Sequence, residues 1–89
     1  MMTKELDGLN VMLANAMGNG ETITVVIETS KMNISYDILV DEYTIDPARK
    51  IVLIEGEKST LEITGEYNIS VYADEIVFTD PYGSITLMA

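Results

Sequence analysis

The feature that most constrains the fold is a change in the spacing of apolar residues just after Gly20. From Glu21 onward, apolar residues recur at every second position, from 23 to 27 and again from 34 to 40. A period of two is typical of β-strands with one buried face. With a turn at residues 30–33, pairing 27 with 36, 25 with 38 and 23 with 40 puts the apolar residues on one face, so the segment is predicted to be an antiparallel hairpin.

The alternation changes phase beyond Val40. Tyr43 and Ile45 occupy odd positions, whereas the apolar residues from 34 to 40 occupy even ones. A single strand can change phase in this way only through a bulge or a bend, which we place near Asp41-Glu42. Bent strands let a small sheet curl.

The rest of the chain reads as short strands joined by turns. A turn at 46–50 leads into the apolar run 51–54, which is typical of a central strand, and a second turn follows at 56–59. A three-residue loop at 64–66 would pair 63 with 67 and 61 with 69. The segment Asp80-Pro81-Tyr82-Gly83 predicts a type I turn that pairs Phe78 with Ile85 and Ile76 with Leu87.

The N-terminal segment has a different period. Leu6, Leu9 and Leu13, followed by Ala16 or Met17, recur at the spacing of one helical face, which predicts a helix over 3–17. Gly18 would then end the helix in the left-handed conformation. The chain is therefore expected to form one α+β, mainly β domain over 1–89, with a helix at 3–17 and a β region at 21–88.

Short connections favour a six- to seven-stranded antiparallel meander. The expected architecture is a strongly curved sheet or a small SH3/Sm-like barrel, with the helix covering one opening or face. An open antiparallel sheet with the helix across one side is the alternative.

Composition excludes several kinds of chemistry. The 89 residues include no Cys and no His, which removes thiol nucleophiles, Ser-His-Asp catalysis and the usual zinc ligands. Fifteen acidic residues against five basic ones give a formal net charge of −10, which opposes direct binding to nucleic acid or anionic membranes. We expect a non-enzymatic, cytoplasmic protein without cofactor or metal, and with no apolar run long enough to span a membrane.

Two acidic segments are the remaining candidates for a binding site. Asp41, Glu42 and Asp46 follow one another in the first half of the chain, and Asp74, Glu75 and Asp80 follow in the second. Together with Asn33-Ile34-Ser35 and Asn68-Ile69-Ser70, the matches lie 33 to 35 residues apart. That spacing fits either an internal duplication or the same turn chemistry used twice.

Tyrosines accompany both acidic segments, and this combination suits recognition of an Arg-rich surface. The predicted partner-binding residues are Asp41, Glu42, Tyr43, Asp46, Asp74, Glu75, Asp80 and Tyr82. In size and charge, the chain resembles the small proteins that phages and mobile elements use against host nucleases, such as anti-CRISPR proteins. This resemblance implies an inhibitor whose carboxylates imitate phosphates in a basic nucleic-acid-binding groove of a nucleic-acid-processing enzyme. The alternative is an assembly module that forms a homo-oligomer through the helix or the terminal strand 84–88.

Overall fold

The computed structural model describes residues 3–89 and shows one helix followed by seven strands. They are α1 (Thr3–Asn19), β1 (Thr22–Thr29), β2 (Asn33–Asp46), β3 (Ile51–Gly56), β4 (Thr60–Thr64), β5 (Asn68–Val71), β6 (Glu75–Asp80) and β7 (Gly83–Met88). All strand pairs are antiparallel, and the strands form one sheet in the order β4-β3-β2-β1-β7-β6-β5. The predicted mainly β, α+β class is confirmed.

The sheet is strongly curved but does not close into a barrel. Strands β4 and β5 lie at opposite edges of the sheet, yet only three residues, 65–67, connect them. A flat sheet of this width would separate its outer strands by about 29 Å, whereas a three-residue connection spans at most about 15 Å. The two edges therefore approach each other, and the barrel alternative fails because β4 and β5 do not pair.

The same connection corrects one predicted hairpin. Residues 61 and 63 do not pair with 69 and 67, because β4 pairs with β3 and β5 pairs with β6. The loop is held by contacts to other elements: the Gly65 N–H donates to the Lys50 carbonyl at 3.1 Å, and the Tyr67 ring packs edge-on against Phe78 at 6.1 Å between ring centroids. Two local meanders, β1 to β4 and β5 to β7, thus join side by side through β1 and β7.

The predicted bulge in β2 is confirmed. Val40 pairs with Gly56 and Glu42 pairs with Glu55, so Asp41 is an extra residue in the β2 ladder. Residues 33–39 of β2 pair with β1, and pairing with β3 begins at Val40 and continues beyond the bulge. The bulge therefore marks the point at which β2 passes from one ladder to the other, as at the corner of a folded sheet.

Two predicted hairpins differ in how well their registers agree with the structure. In β6–β7, Phe78 pairs with Ile85 and Ile76 pairs with Leu87, as predicted. In β1–β2, the hairpin and its faces are confirmed, but the register differs by two residues, with Ile23 opposite Ile38 and Val25 opposite Tyr36. The turn sets this register, because the Thr29 hydroxyl oxygen accepts the N–H groups of residues 31 and 32 at 3.2 and 3.1 Å.

The helix ends two residues later than predicted. Gly18 lies within α1, and Gly20 is the residue with positive φ, at 67°. The Glu21 N–H donates to the Ala16 carbonyl at 2.9 Å, and the Gly20 N–H donates to the Met17 carbonyl at 3.4 Å. This is the hydrogen-bond pattern of a Schellman cap, in which the residue just beyond the helix is left-handed.

The core lies between the curved sheet and α1, which packs against β1, β2 and β5. Ala16 rather than Met17 completes the buried helical stripe, and Val11 is 58% exposed. Tyr36 packs against the core, as its position in the alternation indicates. The buried apolar side chains are Leu9, Leu13, Ala16, Ile23, Val25, Ile38, Val40, Val52, Ile54, Leu61, Ile63, Ile76, Phe78 and Leu87.

Candidate functional site

Both Asp-Pro segments are turns stabilised by the aspartate side chain, with four residues between paired Asp46 and Ile51 and two between paired Asp80 and Gly83. The Asp46 side chain accepts the Arg49 N–H at 3.2 Å, and the Asp80 side chain accepts the N–H groups of Tyr82 and Gly83 at 2.9 and 3.0 Å. Asp46 also forms an ion pair with the Arg49 guanidinium at 3.8 Å. Each aspartate therefore closes its own turn.

The first acidic segment divides between the two faces of β2. Asp41 projects from the bulge and is exposed, and Glu42 is exposed on the outer face of the sheet. Tyr43 lies on the opposite face, half-buried against the core, and its hydroxyl donates to the Asn10 side-chain oxygen Oδ1 at 2.8 Å. The tyrosine thus links β2 to the helix instead of standing beside the carboxylates.

Glu42 has acidic neighbours that come from two other strands. It lies directly opposite Glu55 of β3, and Glu62 of β4 is the diagonal neighbour of Glu55 on the same outer face. Leu53, half-buried, lies opposite Glu62 and two residues from Glu55. The ion pairs found among residues 3–89, Arg49–Asp46 and Lys50–Glu66, include none of these three glutamates. We call Glu42, Glu55, Glu62 and the central Leu53 the acidic face.

The second acidic segment does not join this face. Asp74 and Glu75 lie at the start of β6, and Asp80 and Tyr82 lie at its other end. Strands β1 and β7 separate β6 from β2 in the sheet. The eight predicted partner-binding residues are therefore spread over three regions, and Glu42 alone among them belongs to the acidic face.

The two segments also differ in structure, although they share their turn chemistry. Asp41-Glu42 lies inside one long strand, whereas Asp74-Glu75 follows a break between two strands.

The sequence does not predict that Glu55 and Glu62 share a site with Glu42, because the three residues come from separate strands. The alternation of Glu55 and Glu62 with buried Ile54, Leu61 and Ile63 does place them on the outer face. Only the register of β2, β3 and β4 sets Glu55 opposite Glu42 and Glu62 diagonal to Glu55.

The exposed apolar side chains fall into distinct places. Tyr82 is 82% exposed at its turn, as its third position in that turn predicts. Val11 of the helix and Val71 and Tyr72 at the end of β5 border one shallow surface cleft. A second group of exposed apolar side chains lies on the first half of β2.

A cleft of about 490 Å³ lies near the connection between β4 and β5. Its lining includes Leu6, Tyr67 and Phe78, together with Lys50 and Glu66, which form an ion pair. The hydrogen bond and the charge of Lys50 hold the pKa of the exposed Glu66 carboxyl below its usual range. Burial raises the pKa of Tyr36, which faces the core.

Two further observations concern the part of the chain that the structure describes. Among residues 3–89, no group of three acidic side chains is arranged to hold a metal ion. The helix in this range is neither long nor apolar enough to cross a membrane.

Comparisons with protein-family models, with curated proteins and with solved structures find no match.

Proposed function

We propose that this protein is a non-enzymatic, acidic protein-binding domain that acts in the cytoplasm and occupies a basic surface through its acidic face. The observation that carries the proposal is the direct opposition of Glu42 and Glu55 across β2 and β3, with Glu62 of β4 diagonal to Glu55 on the same face. Like charges directly opposite each other in a sheet are destabilising. A basic partner would relieve this repulsion, so the arrangement favours association.

The partner class follows from charge and spacing. The directly opposite Glu42 and Glu55 stand about 5 Å apart, and Glu62 lies diagonally about 7–8 Å from Glu55. Three carboxylates around an apolar residue can meet a basic surface that has an apolar centre. The net charge of −10 adds long-range attraction toward such a surface. Grooves that bind nucleic acid are basic, so we propose that the partner is a nucleic-acid-processing enzyme and that the protein inhibits it as phage or mobile-element inhibitors do.

A pull-down from host cells with a matched pair of variants tests the proposal. The test variant carries Glu42→Gln, Glu55→Gln and Glu62→Gln, and the control carries Asp7→Asn, Glu21→Gln and Glu28→Gln. Each removes three acidic charges and takes the net charge from −10 to −7. We expect the wild type and the control to capture the same basic partner, and the test variant to lose about tenfold or more in affinity.

Competition then tests inhibition directly. The captured enzyme is first bound to fluorescently labelled nucleic acid. The fluorescence anisotropy of the label then reports how much nucleic acid the protein displaces as the salt concentration rises. We expect displacement at low salt that weakens as salt screens the charges. Equal losses in both triple variants would show that net charge alone matters, and the absence of any basic partner at low salt would refute the proposed function.

A further inference from the structure

The first half of β2 is a free sheet edge. Residues 33–39 pair with β1 on one side, whereas pairing with β3 begins only at Val40. On the side away from β1, residues 33–38 therefore have no strand partner among residues 3–89. This edge is longer than β4 or β5, and it contains neither Lys nor Pro, the residues that commonly block edge pairing.

The hairpin turn determines which backbone groups point outward from this edge. The Thr29 N–H donates to the carbonyl of residue 32 at 2.9 Å, so 29 and 32 form a hydrogen-bonded pair. Such pairs alternate along an antiparallel ladder, so residues 34, 36 and 38 bond to β1. Asn33, Ser35 and Asp37 consequently direct their N–H and C=O groups away from the sheet.

The side chains of this edge are as open as its backbone. Ile34 is 42% exposed, and Asn33, Ser35 and Asp37 are exposed as well. Ile34 and the half-buried Tyr36 lie on the core face of β2, and the three polar residues lie on the outer face. The edge therefore presents an apolar row and a polar row side by side.

We propose that a second copy of this chain pairs with this edge, antiparallel and with a two-fold axis at Ser35. In this register Asn33 faces Asp37 of the second copy, Ser35 faces its own counterpart, and Ile34 faces Tyr36. All outward backbone groups of 33–37 find partners, through roughly six hydrogen bonds. The register matches polar with polar and apolar with apolar side chains, and an Asn amide can donate to the opposing carboxylate.

Charge supports a second copy over a basic strand as the occupant. Asp37 is the one acidic residue of the edge stretch 33–38, and its carboxylate already accepts the Thr24 hydroxyl at 2.7 Å. The acidic face lies beyond the bulge, in the other ladder. In the two-fold register, the Asn33 amide of each copy lies opposite the Asp37 carboxylate of the other, so each acid of the edge meets a hydrogen-bond donor.

The dimer and the proposed function respond oppositely to salt. Two copies with a formal net charge of −10 each repel one another, so screening strengthens the dimer. Binding of a basic partner weakens under the same conditions. A failed test of the dimer can therefore be distinguished from a failed test of the proposed function. The proposed dimer does not depend on the proposed function.

Sedimentation velocity of the full chain over a concentration series, at low and high salt, tests the dimer. Ser35→Pro removes an outward N–H that the β1 ladder does not use, so it should leave the monomer folded while raising the dimer dissociation constant by about tenfold or more. Ser35→Ala keeps the N–H and serves as the matched control. Circular dichroism checks that both variants fold.

A charge exchange tests the register. Asn33→Asp sets two carboxylates against each other at both ends of the seam and should weaken the dimer, whereas Asn33→Asp combined with Asp37→Asn should restore it. A monomer at all concentrations up to about 1 mM in high salt would overturn the proposal. A dimer whose dissociation constant does not change with Ser35→Pro would also overturn the proposal, as would a dimer that the charge exchange does not restore. If the protein instead captures a basic peptide, and Asn33→Asp strengthens that capture, the edge would be assigned to a basic strand.

Discussion

Glu42 and Glu55 face each other across β2 and β3 on the outer side of the sheet, and neither has an ion-pair partner among residues 3–89. Opposing carboxylates on neighbouring strands repel each other. The pair therefore lowers the stability of the free protein at a place where the sheet could accommodate opposite charges. The proposed binding of a basic partner rests on this pair.

The first prediction concerns this pair. Glu42→Lys replaces a repulsive cross-strand contact by an attractive one, and we expect the free energy of unfolding to rise by about 0.5–1 kcal/mol. The same substitution should weaken capture of a basic partner. Urea denaturation measures the first effect, and Glu28→Lys, whose residue faces Asn33 and not a carboxylate, is the control. An equal gain in the control would attribute the effect to net charge.

The second prediction separates the two glycines at the end of α1. A Cβ added at Gly18 meets no atom within 4 Å, and the residue is helical, so Gly18→Ala should stabilise the protein by about 0.5 kcal/mol. Gly20 has φ near +67°, so Gly20→Ala should cost about 1 kcal/mol. Thermal unfolding of both variants tests the cap, and the same sign for both would contradict it.

The third prediction concerns Tyr43, which the sequence places among partner-binding residues and the structure places against the helix. Tyr43→Phe removes the hydrogen bond to Asn10 and should lower the free energy of unfolding by about 0.5–1.5 kcal/mol. Tyr82→Phe, at an exposed turn, should change it by less than about 0.5 kcal/mol. Binding of a basic partner that survives Tyr43→Phe would confirm a structural role, and loss of binding without loss of stability would contradict it.

The fourth prediction concerns the ion pair beside the cleft. Lys50 lowers the pKa of Glu66 in the folded protein relative to the unfolded chain. The resulting stabilisation is complete above the unfolded pKa and is lost as the pH falls through the folded pKa. An NMR titration of the Glu66 carboxyl should show a higher pKa in Lys50→Met and a nearly unchanged one in Lys50→Arg. Because Glu66 is fully exposed, the effect on stability should be small.

Local patterns identified much of the secondary structure. The switch from a helical to a two-residue period predicts α1 and the strands that follow it. The change of phase after Val40 locates the bulge at Asp41, because one extra residue is the simplest way to keep both halves of β2 facing the core. The turn at Asp80 sets the register of β6 and β7, because the side chain of Asp80 closes that turn.

The predicted strand pairing was wrong where local sequence patterns fit two pairings equally well. A shift of two residues between β1 and β2 keeps every side chain on its face, so alternation cannot choose between the two registers. A short loop between β4 and β5 favours a hairpin, but contacts with β3, with β6 and with the turn after β2 lead the chain from one sheet edge to the other.

The sequence by itself determined the helix, the strands, the bend in β2 and the surplus of acidic charge, because these depend on residues close together in the chain. Only the tertiary structure decided that β4 and β5 would become opposite edges of one curved sheet, that Glu42, Glu55 and Glu62 would share one face of three neighbouring strands, and that residues 33–38 would remain an open edge. Each of these depends on which strands pair and in what register. That choice is made by burying the apolar face of every strand in one common core.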